Sequence, residues 1–292
     1  MIAPKINISI ALASYNGASY ISEQLDSIIK QTYQPLEIII QDDGSTDNTI
    51  SILHHYQQKY PQFIDVQRNP TNLGFVKNFE HAIMRCSGEI IALSDQDDVW
   101  LPGRLEAIAD TFISQPACGL IVTNAFVREQ ASTSPPKLLY PKFKQTQTAQ
   151  DQRLDLLLRR YSSKGCTVAF RAKYLPYLLP VSATQWGHDH WIVGLLSLIT
   201  QASILSEPLM YYRRHIANSG SDLLTKGWRA KMLAVKGSLP LQAYQLDYIR
   251  WQELLHHVNQ SDNAFISEAS RSQWMDGVSK IEDRLKYAKA RA

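Results

Sequence analysis

Residues 88–98 read GEIIALSDQDD: a glycine, a short apolar run, and then three carboxylates within four positions. An apolar run of this length, bounded by Gly88 and a charged stretch, predicts a buried strand rather than a helix. Its carboxyl end delivers Asp95, Asp97 and Asp98 together. Three more strands of similar character lie upstream, at Lys5–Ala13 (KINISIALA), Leu36–Gln41 (LEIIIQ) and Phe63–Gln67. Between them, apolar residues recur at helical spacing: Ile21, Leu25, Ile28 and Ile29, then Ile50, Ile52, Leu53 and Tyr56, then Phe79, Ala82 and Ile83. Ser45 or Thr46 is placed to cap the second of these helices, which runs toward the breaker Pro61.

Strands alternating with helices over the first hundred residues predict an α/β fold, a mainly parallel sheet covered by helices on both faces. In such sheets ligands bind beyond the carboxyl ends of the strands. Three polar loops fall there: Ser14-Tyr15-Asn16, Asp42-Asp43-Gly44-Ser45 and Asp95-Gln96-Asp97-Asp98. Further elements are expected at Leu105–Phe112, Leu120–Phe126, Leu154–Leu158, Thr167–Phe170, Trp191–Ile199 and Ile204–Tyr212. The Ser-, Pro-, Lys- and Gln-rich stretch Glu129–Gln152 reads as a mobile lid or acceptor loop. From Lys226 the chain reads as helices, and a boundary near residue 221 separates a first domain, 1–221, from a C-terminal helical extension, 222–292.

Composition narrows the function classes. With 45% hydrophobic and 20% charged residues the chain is neither disordered nor membrane-spanning. A net charge of +3 is too small for a nucleic-acid binder. The charge is uneven: from Lys226 onward there are 11 Lys or Arg against 7 Asp or Glu, a tail of +4 and a remainder of −1. No apolar stretch approaches the roughly 20 residues that span a bilayer, and MIAPKINIS lacks the pattern of a secretory signal. The expected location is the cytoplasm. The basic tail, with Trp228, Trp251 and Trp274, offers either peripheral contact with the inner face of the membrane or a packing surface. Cys86, Cys118 and Cys166 are spaced too widely for a disulfide framework or a zinc site and read as reduced structural thiols. Neither GxGxxG nor GxxxxGK[ST] occurs, which argues against dinucleotide oxidoreductases and P-loop enzymes. A diphosphate would then be neutralised by a divalent cation on carboxylates at a strand end, and Asp95-x-Asp97 supplies them.

Several stretches together resemble the inverting glycosyltransferase family 2, whose members have the GT-A fold: ISIALASYNG, LEIIIQDDGSTDNT, NLGFVKN, GEIIALSDQDDVWLPGRL, GHDHW and EPLMYYRRHIANSGS. The resemblance covers residues 5 to about 220. It implies a nucleotide-sugar donor held by Ala13 and Tyr15 around the base and ribose, by Asp42 and Asp43 at the pyrimidine edge, and by Lys77 at the phosphate end. It also implies Mg²⁺ or Mn²⁺ on Asp97, with Asp95 toward the ribose or sugar and His215 completing the site. Asp98 extends the usual pattern, in donor contact or beside the metal. Asp189, in Gly187-His188-Asp189-His190-Trp191, matches the general base. Family members often have Glu-Asp there, so His188 keeps two readings, a donor or diphosphate contact and a plain loop residue. Trp186 and Trp191 read either as acceptor-stacking rings or as core. The HDHW and EPLMYY stretches look most like bacterial rhamnosyltransferases, which implies dTDP-L-rhamnose as donor, a UDP-hexose being the alternative, and a saccharide or lipid-linked saccharide acceptor in surface polysaccharide synthesis such as O-antigen or capsule. A sugar nucleotidyltransferase is a distant alternative, because Ser14-Tyr15-Asn16-Gly17 does not resemble its glycine-rich basic phosphate loop.

Overall fold

A strand flanked by strands and covered on both faces must be apolar or small at every position, and Ile8–Ser14 (β1) is buried along its whole length. The computed structural model describes residues 5–129, 135–141, 164–181 and 187–215, with scattered positions beyond. From β1 the chain passes through α1 (Ile21–Ile29), β2 (Glu37–Asp42), α2 (Thr49–Lys59), β3 (Ile64–Arg68) and α3 (Phe75–Met84) to β4 (Ile90–Asp95). Then come β5 (Val99–Trp100), α4 (Arg104–Ser114), β6 (Cys118–Glu129), β7 (Lys137–Leu138), β8 (Val168–Arg171), α5 (Leu175–Leu178), α6 (His188–Ile199) and β9 (Gln201–Arg214).

The strands form one sheet in the order β3-β2-β1-β4-β8-β6-β9-β5, with β7 on β6. The first four are mutually parallel. β8 enters antiparallel between β4 and β6, while β6 and β9 run parallel to each other. The α/β architecture is thus the one expected, with a parallel half and a mixed half. Ile8, Ile10 and Leu12 of β1 are fully buried, as are Ile38 and Ile40 of β2. Each such side chain contributes about 1.5–3 kcal/mol by leaving water. Helix α1 lays Ile21, Leu25 and Ile28 on this core. The one polar residue in that stripe, Gln24, donates 2.7 Å to Ser94 Oγ and so fixes the helix against the end of β4.

The expected cap of α2 is corrected. The helix starts at Thr49 without a side-chain cap, because Ser45 is bonded to Asp42 instead. The chain divides into two compact units, Met1–Arg214 and His215–Ala292. The expected boundary at 221 and the element at Leu154–Leu158 lie outside the described residues, as do Trp186, Trp228, Trp251, Trp274 and most of Glu129–Gln152. In the second unit, described positions such as Ile249, Leu254, Met275 and Lys286 are helical. Among the described residues no helix is long and apolar enough to cross a membrane.

Candidate active site

The parallel register brings three strand ends level: Ala13 of β1 lies between Gln41 of β2 and Asp95 of β4. The loops that follow are knitted together by their own polar groups. Asn16, held at a positive φ of 48°, accepts the Thr46 N–H at 2.8 Å, while its own N–H donates 2.9 Å to Ser45 Oγ. Asn tolerates this left-handed backbone better than most residues. Tyr15 stands 44% exposed beside this turn. Its N–H and C=O are both engaged by the Gln96 amide, each at 2.9 Å. Gln96, the second residue of the acidic run, therefore straps the β4 loop to the β1 loop.

Asp42 and Asp43 are buried and well partnered. Asp42 accepts the Ser45 N–H at 2.9 Å, the hydroxyls of Ser45 and Ser14, and faces Arg68 at 3.6 Å. Its side chain is occupied in building the turn. Asp43 accepts the Asn69 amide and the Leu73 N–H, both at 2.8 Å, and the Gly74 N–H at 2.9 Å. A carboxylate offers about four acceptor positions, so Asp43 keeps one on Oδ2 while it shapes the loop ahead of α3. Lys77 bonds Glu80 at 2.7 Å, and the other Glu80 oxygen accepts the Val181 N–H, also at 2.7 Å.

The end of β4 is different. Continuing the antiparallel register of β4 and β8 three residues past Ala92↔Ala169 carries Asp95 to Cys166, where the chain makes a 3-10 turn, Gly165–Thr167. Potential ligand atoms of Asp95, Asp98 and Cys166 lie within 4.8 Å of one another. Asp98 is fully buried; one oxygen accepts the Arg213 N–H at 3.2 Å and Oδ2 has no hydrogen-bond partner. Burial first, then the charge of Asp97, pushes Asp95 and Asp98 upward, and the Cys166 thiol pulls against that rise. Burial next to Asp98 also raises Cys166, and burial with Cys166 and the carboxylates raises Tyr212. An orphaned carboxylate oxygen inside a ring of acidic ligands fits a divalent cation, and a thiol among the ligands suits the softer ions better than Mg²⁺. Asp97 is buried and acts electrostatically on both neighbours, but it is not in the converging set. His215 is the first residue of the second unit.

Beneath this run lies Arg104, fully buried, which donates 2.6 Å to Thr123 Oγ1 and 2.6 Å to the Cys166 carbonyl, with its guanidinium 4.6 Å over the Trp100 ring. Burial lowers it to about 10 and Asp98 pulls it back up. It remains cationic at neutral pH, a fixed positive charge behind the carboxylates.

Asp189 stands in the first turn of α6, where the amide dipoles favour an anion. Burial pushes it upward, but His190, His188 and Lys164 together with the His190 N–H, 2.8 Å from Oδ1, hold it below the ordinary carboxylate range. It is ionised at neutral pH. Asp95 feels its charge, so the base candidate and the acidic run share one locality. His188 is buried with both ring nitrogens unpartnered, stacked 3.9 Å from Phe79. Burial lowers it to about 4. Trp191 is core: 2% exposed, its indole N–H donates 2.9 Å to the Leu178 carbonyl.

Sequence reading missed Cys166, Arg104, Lys164 and Tyr212 as parts of this locality. For Arg104 a signal existed, since Arg104, Ile108, Thr111 and Phe112 form one helical stripe and all are buried. For Cys166 none did, because only the sheet joins it to Asp95.

A sheet of this topology with ligands gathered at the carboxyl edge of its parallel half, and a separate ionised carboxylate facing them, defines the class of GT-A-like α/β proteins. The model of the family described as "Glycosyl transferase family 2" matches residues 9–173, more than half of the chain, and the chain belongs to that family. It is 29% identical over 227 residues to an uncharacterized glycosyltransferase, alr2836, of Nostoc sp., covering 73% of this chain and 66% of that protein. It is 38% identical over 106 residues to the dTDP-rhamnosyl transferase RfbG of Shigella flexneri, covering 35% and 37%. These matches span between about a third and two thirds of the curated relatives' own length. Among solved structures, residues 1–349 of S. aureus TarS in complex with UDP-GlcNAc superpose with a TM-score of 0.60 at 18% identity, over 96% of this chain and 82% of that one. That likeness shows the fold.

Proposed function

We propose that this glycosyltransferase is an inverting, divalent-metal-dependent enzyme that moves L-rhamnose from dTDP-L-rhamnose to a saccharide or lipid-linked saccharide acceptor in bacterial surface polysaccharide synthesis. The observation that carries the transferase chemistry is the pairing of an ionised Asp189 with the carboxylates of the β4 end, one buried Asp98 oxygen of which has no hydrogen-bond partner, in one electrostatic neighbourhood. The partial match to RfbG supports the donor.

In this reading Asp95, Asp97 and Asp98, with Cys166 adjoining, would hold Mg²⁺ or Mn²⁺. The cation supplies charge neutralisation of the leaving diphosphate. Ala13 and Tyr15 border the nucleoside, and the remaining acceptor position on Asp43 takes a pyrimidine N–H. Asp42 shapes that turn from behind. Lys77, linked to Glu80, lies toward the phosphate end. Asp189 accepts the proton of the acceptor hydroxyl as that oxygen attacks the anomeric carbon from the face opposite the leaving group. Its depressed proton affinity keeps it unprotonated before attack.

The test is release of nucleoside diphosphate from dTDP-rhamnose, UDP-glucose, UDP-galactose and GDP-mannose with Mn²⁺ or Mg²⁺. Release confined to dTDP-rhamnose is expected; release from a UDP-hexose instead moves the donor to that class, and none from any donor sinks the reading. Asp189→Asn is expected to lower kcat by about 10²–10⁴ while calorimetry shows donor binding retained.

A further inference from the structure

Phe75 opens α3 and is 49% exposed. A large ring left half in water at a helix start, where a polar residue would serve as well, calls for a reason. Three observations converge on one. First, the ring is held from behind: it meets His188 edge-on at 6.0 Å, and His188 in turn stacks on buried Phe79 at 3.9 Å. His188 has no hydrogen bond to either ring nitrogen, so in this stack it serves as an aromatic buttress. Second, the backbone is fixed: Gly74, immediately before Phe75, has φ 85° and gives its N–H to Asp43. Third, the ring faces the base. A side chain at Gly187 would begin 3.8 Å from Phe75 Cε2 and 2.6 Å from Asp189 Oδ1. The ring edge and the carboxylate oxygen are therefore no more than 6.4 Å apart, the sum of those two distances, and the carboxylate packs so closely on Gly187 that any side chain there would collide with it.

We propose that Phe75 is the stacking platform of the acceptor subsite, receiving the apolar C–H face of a pyranose ring so that one of its hydroxyls reaches Asp189. A pyranose carries axial C–H groups on one face and hydroxyls around its rim. An aromatic ring edge within 6.4 Å of a carboxylate oxygen matches that division: the ring takes the C–H face, the carboxylate a rim hydroxyl. The inference rests on the transferase reading above and adds the side chain that receives the acceptor sugar.

The experiment uses the full chain with dTDP-rhamnose, UDP-glucose, UDP-galactose and GDP-mannose, Mn²⁺, and a panel of methyl pyranosides of glucose, galactose, mannose, N-acetylglucosamine and rhamnose. It measures diphosphate release with and without each pyranoside for the wild type, Phe75→Ala and Phe75→Trp. At least one pyranoside is expected to accelerate release in the wild type. Its KM should rise about tenfold or more in Phe75→Ala, corresponding to the loss of one stacking contact. Phe75→Trp should keep a KM near that of the wild type. Donor affinity by calorimetry and the slow release with water alone should stay unchanged in both variants. An unchanged pyranoside KM in Phe75→Ala overturns the proposal, and so does a parallel loss of donor affinity, which would place Phe75 in the donor site. Water-only release that no pyranoside accelerates also overturns it, leaving the transferase reading standing. No release from any donor removes both.

Discussion

Two strand ends flank β1, and their acidic pairs are treated in opposite ways. At the end of β2, Asp42 and Asp43 are held by backbone N–H groups, hydroxyls and an amide from their own and neighbouring loops, with one acceptor position left on Asp43. At the end of β4, Asp95 and Asp98 share the Cys166 thiol, and an Asp98 oxygen is buried with no partner. Buried carboxylates in folded proteins normally find partners. The first pair finds most of its partners inside the fold and shapes the turn; the second leaves a buried oxygen without one and is shaped for something that arrives from outside. Sequence alone presents both as short acidic runs after an apolar strand.

The contrast is tested first where the expected effect on stability is largest. Asp43→Ala deletes three charge-assisted hydrogen bonds, takes the partner of the Leu73 N–H in a partly buried turn and leaves the Gly74 N–H with Asn72 Oδ1 alone. Denaturant unfolding is expected to show a loss of about 3–5 kcal/mol. A loss below about 1 kcal/mol would mean that the β2 carboxylates are not architectural, and the contrast would collapse.

How far the two ends were legible follows from the same physics. Strand and helix positions in the first hundred residues could be read because apolar spacing reports burial, and β1, β2 and β4 are buried on both faces. The two-residue strands β5 and β7 are too short to leave a period. The pairing of β6 with β9 joins residues some eighty positions apart, as in Cys118↔Gln201, and no local pattern encodes it. At the site, Asp95, Asp97 and Asp98 could be picked out by residue type and strand position, and Asp189 only through the family resemblance of Gly187-His188-Asp189-His190-Trp191. Cys166 could not, because its neighbourhood is created by the antiparallel insertion of β8 beside β4. The same limit hid the tie between Ser45 and Asp42, which turned an expected helix cap into a turn bond.

A smaller effect is expected at His188, which is tied to the reaction side of the molecule by adjacency to Asp189. Its folded pKa of about 4 lies below the 6.5 of an unfolded histidine, because burial disfavours its charged form. The unfolded chain therefore takes up a proton first as pH falls, and stability drops between about pH 6.5 and pH 4, remaining full above that window. The contribution is about 3 kcal/mol across the window. His188→Phe keeps a ring against Phe79 and removes the titration, so its melting temperature should fall less than that of the wild type from pH 7 to pH 4. Equal pH slopes in the two proteins would mean that His188 is solvated and has no part in the ring stack.

The smallest expected change in stability belongs to Asp98→Asn, and it discriminates most sharply between the two ends. Asparagine retains an oxygen for the Arg213 N–H and removes a charge whose ionised form burial and Asp97 both oppose. Relief of that opposition offsets the weaker hydrogen bond, so metal-free unfolding should shift by no more than about 1 kcal/mol. Cation binding should change far more: Mn²⁺ titration by calorimetry, in the presence of nucleoside diphosphate, is expected to weaken at least about tenfold, because a neutral amide replaces an anionic ligand. The stabilisation that Mn²⁺ gives the wild type through binding only the folded state should shrink in parallel. If Asp98→Asn instead unfolds as readily as Asp43→Ala and binds Mn²⁺ as well as the wild type, then the orphaned oxygen at the end of β4 belongs to the fold, and the cation site must be built from the remaining carboxylates.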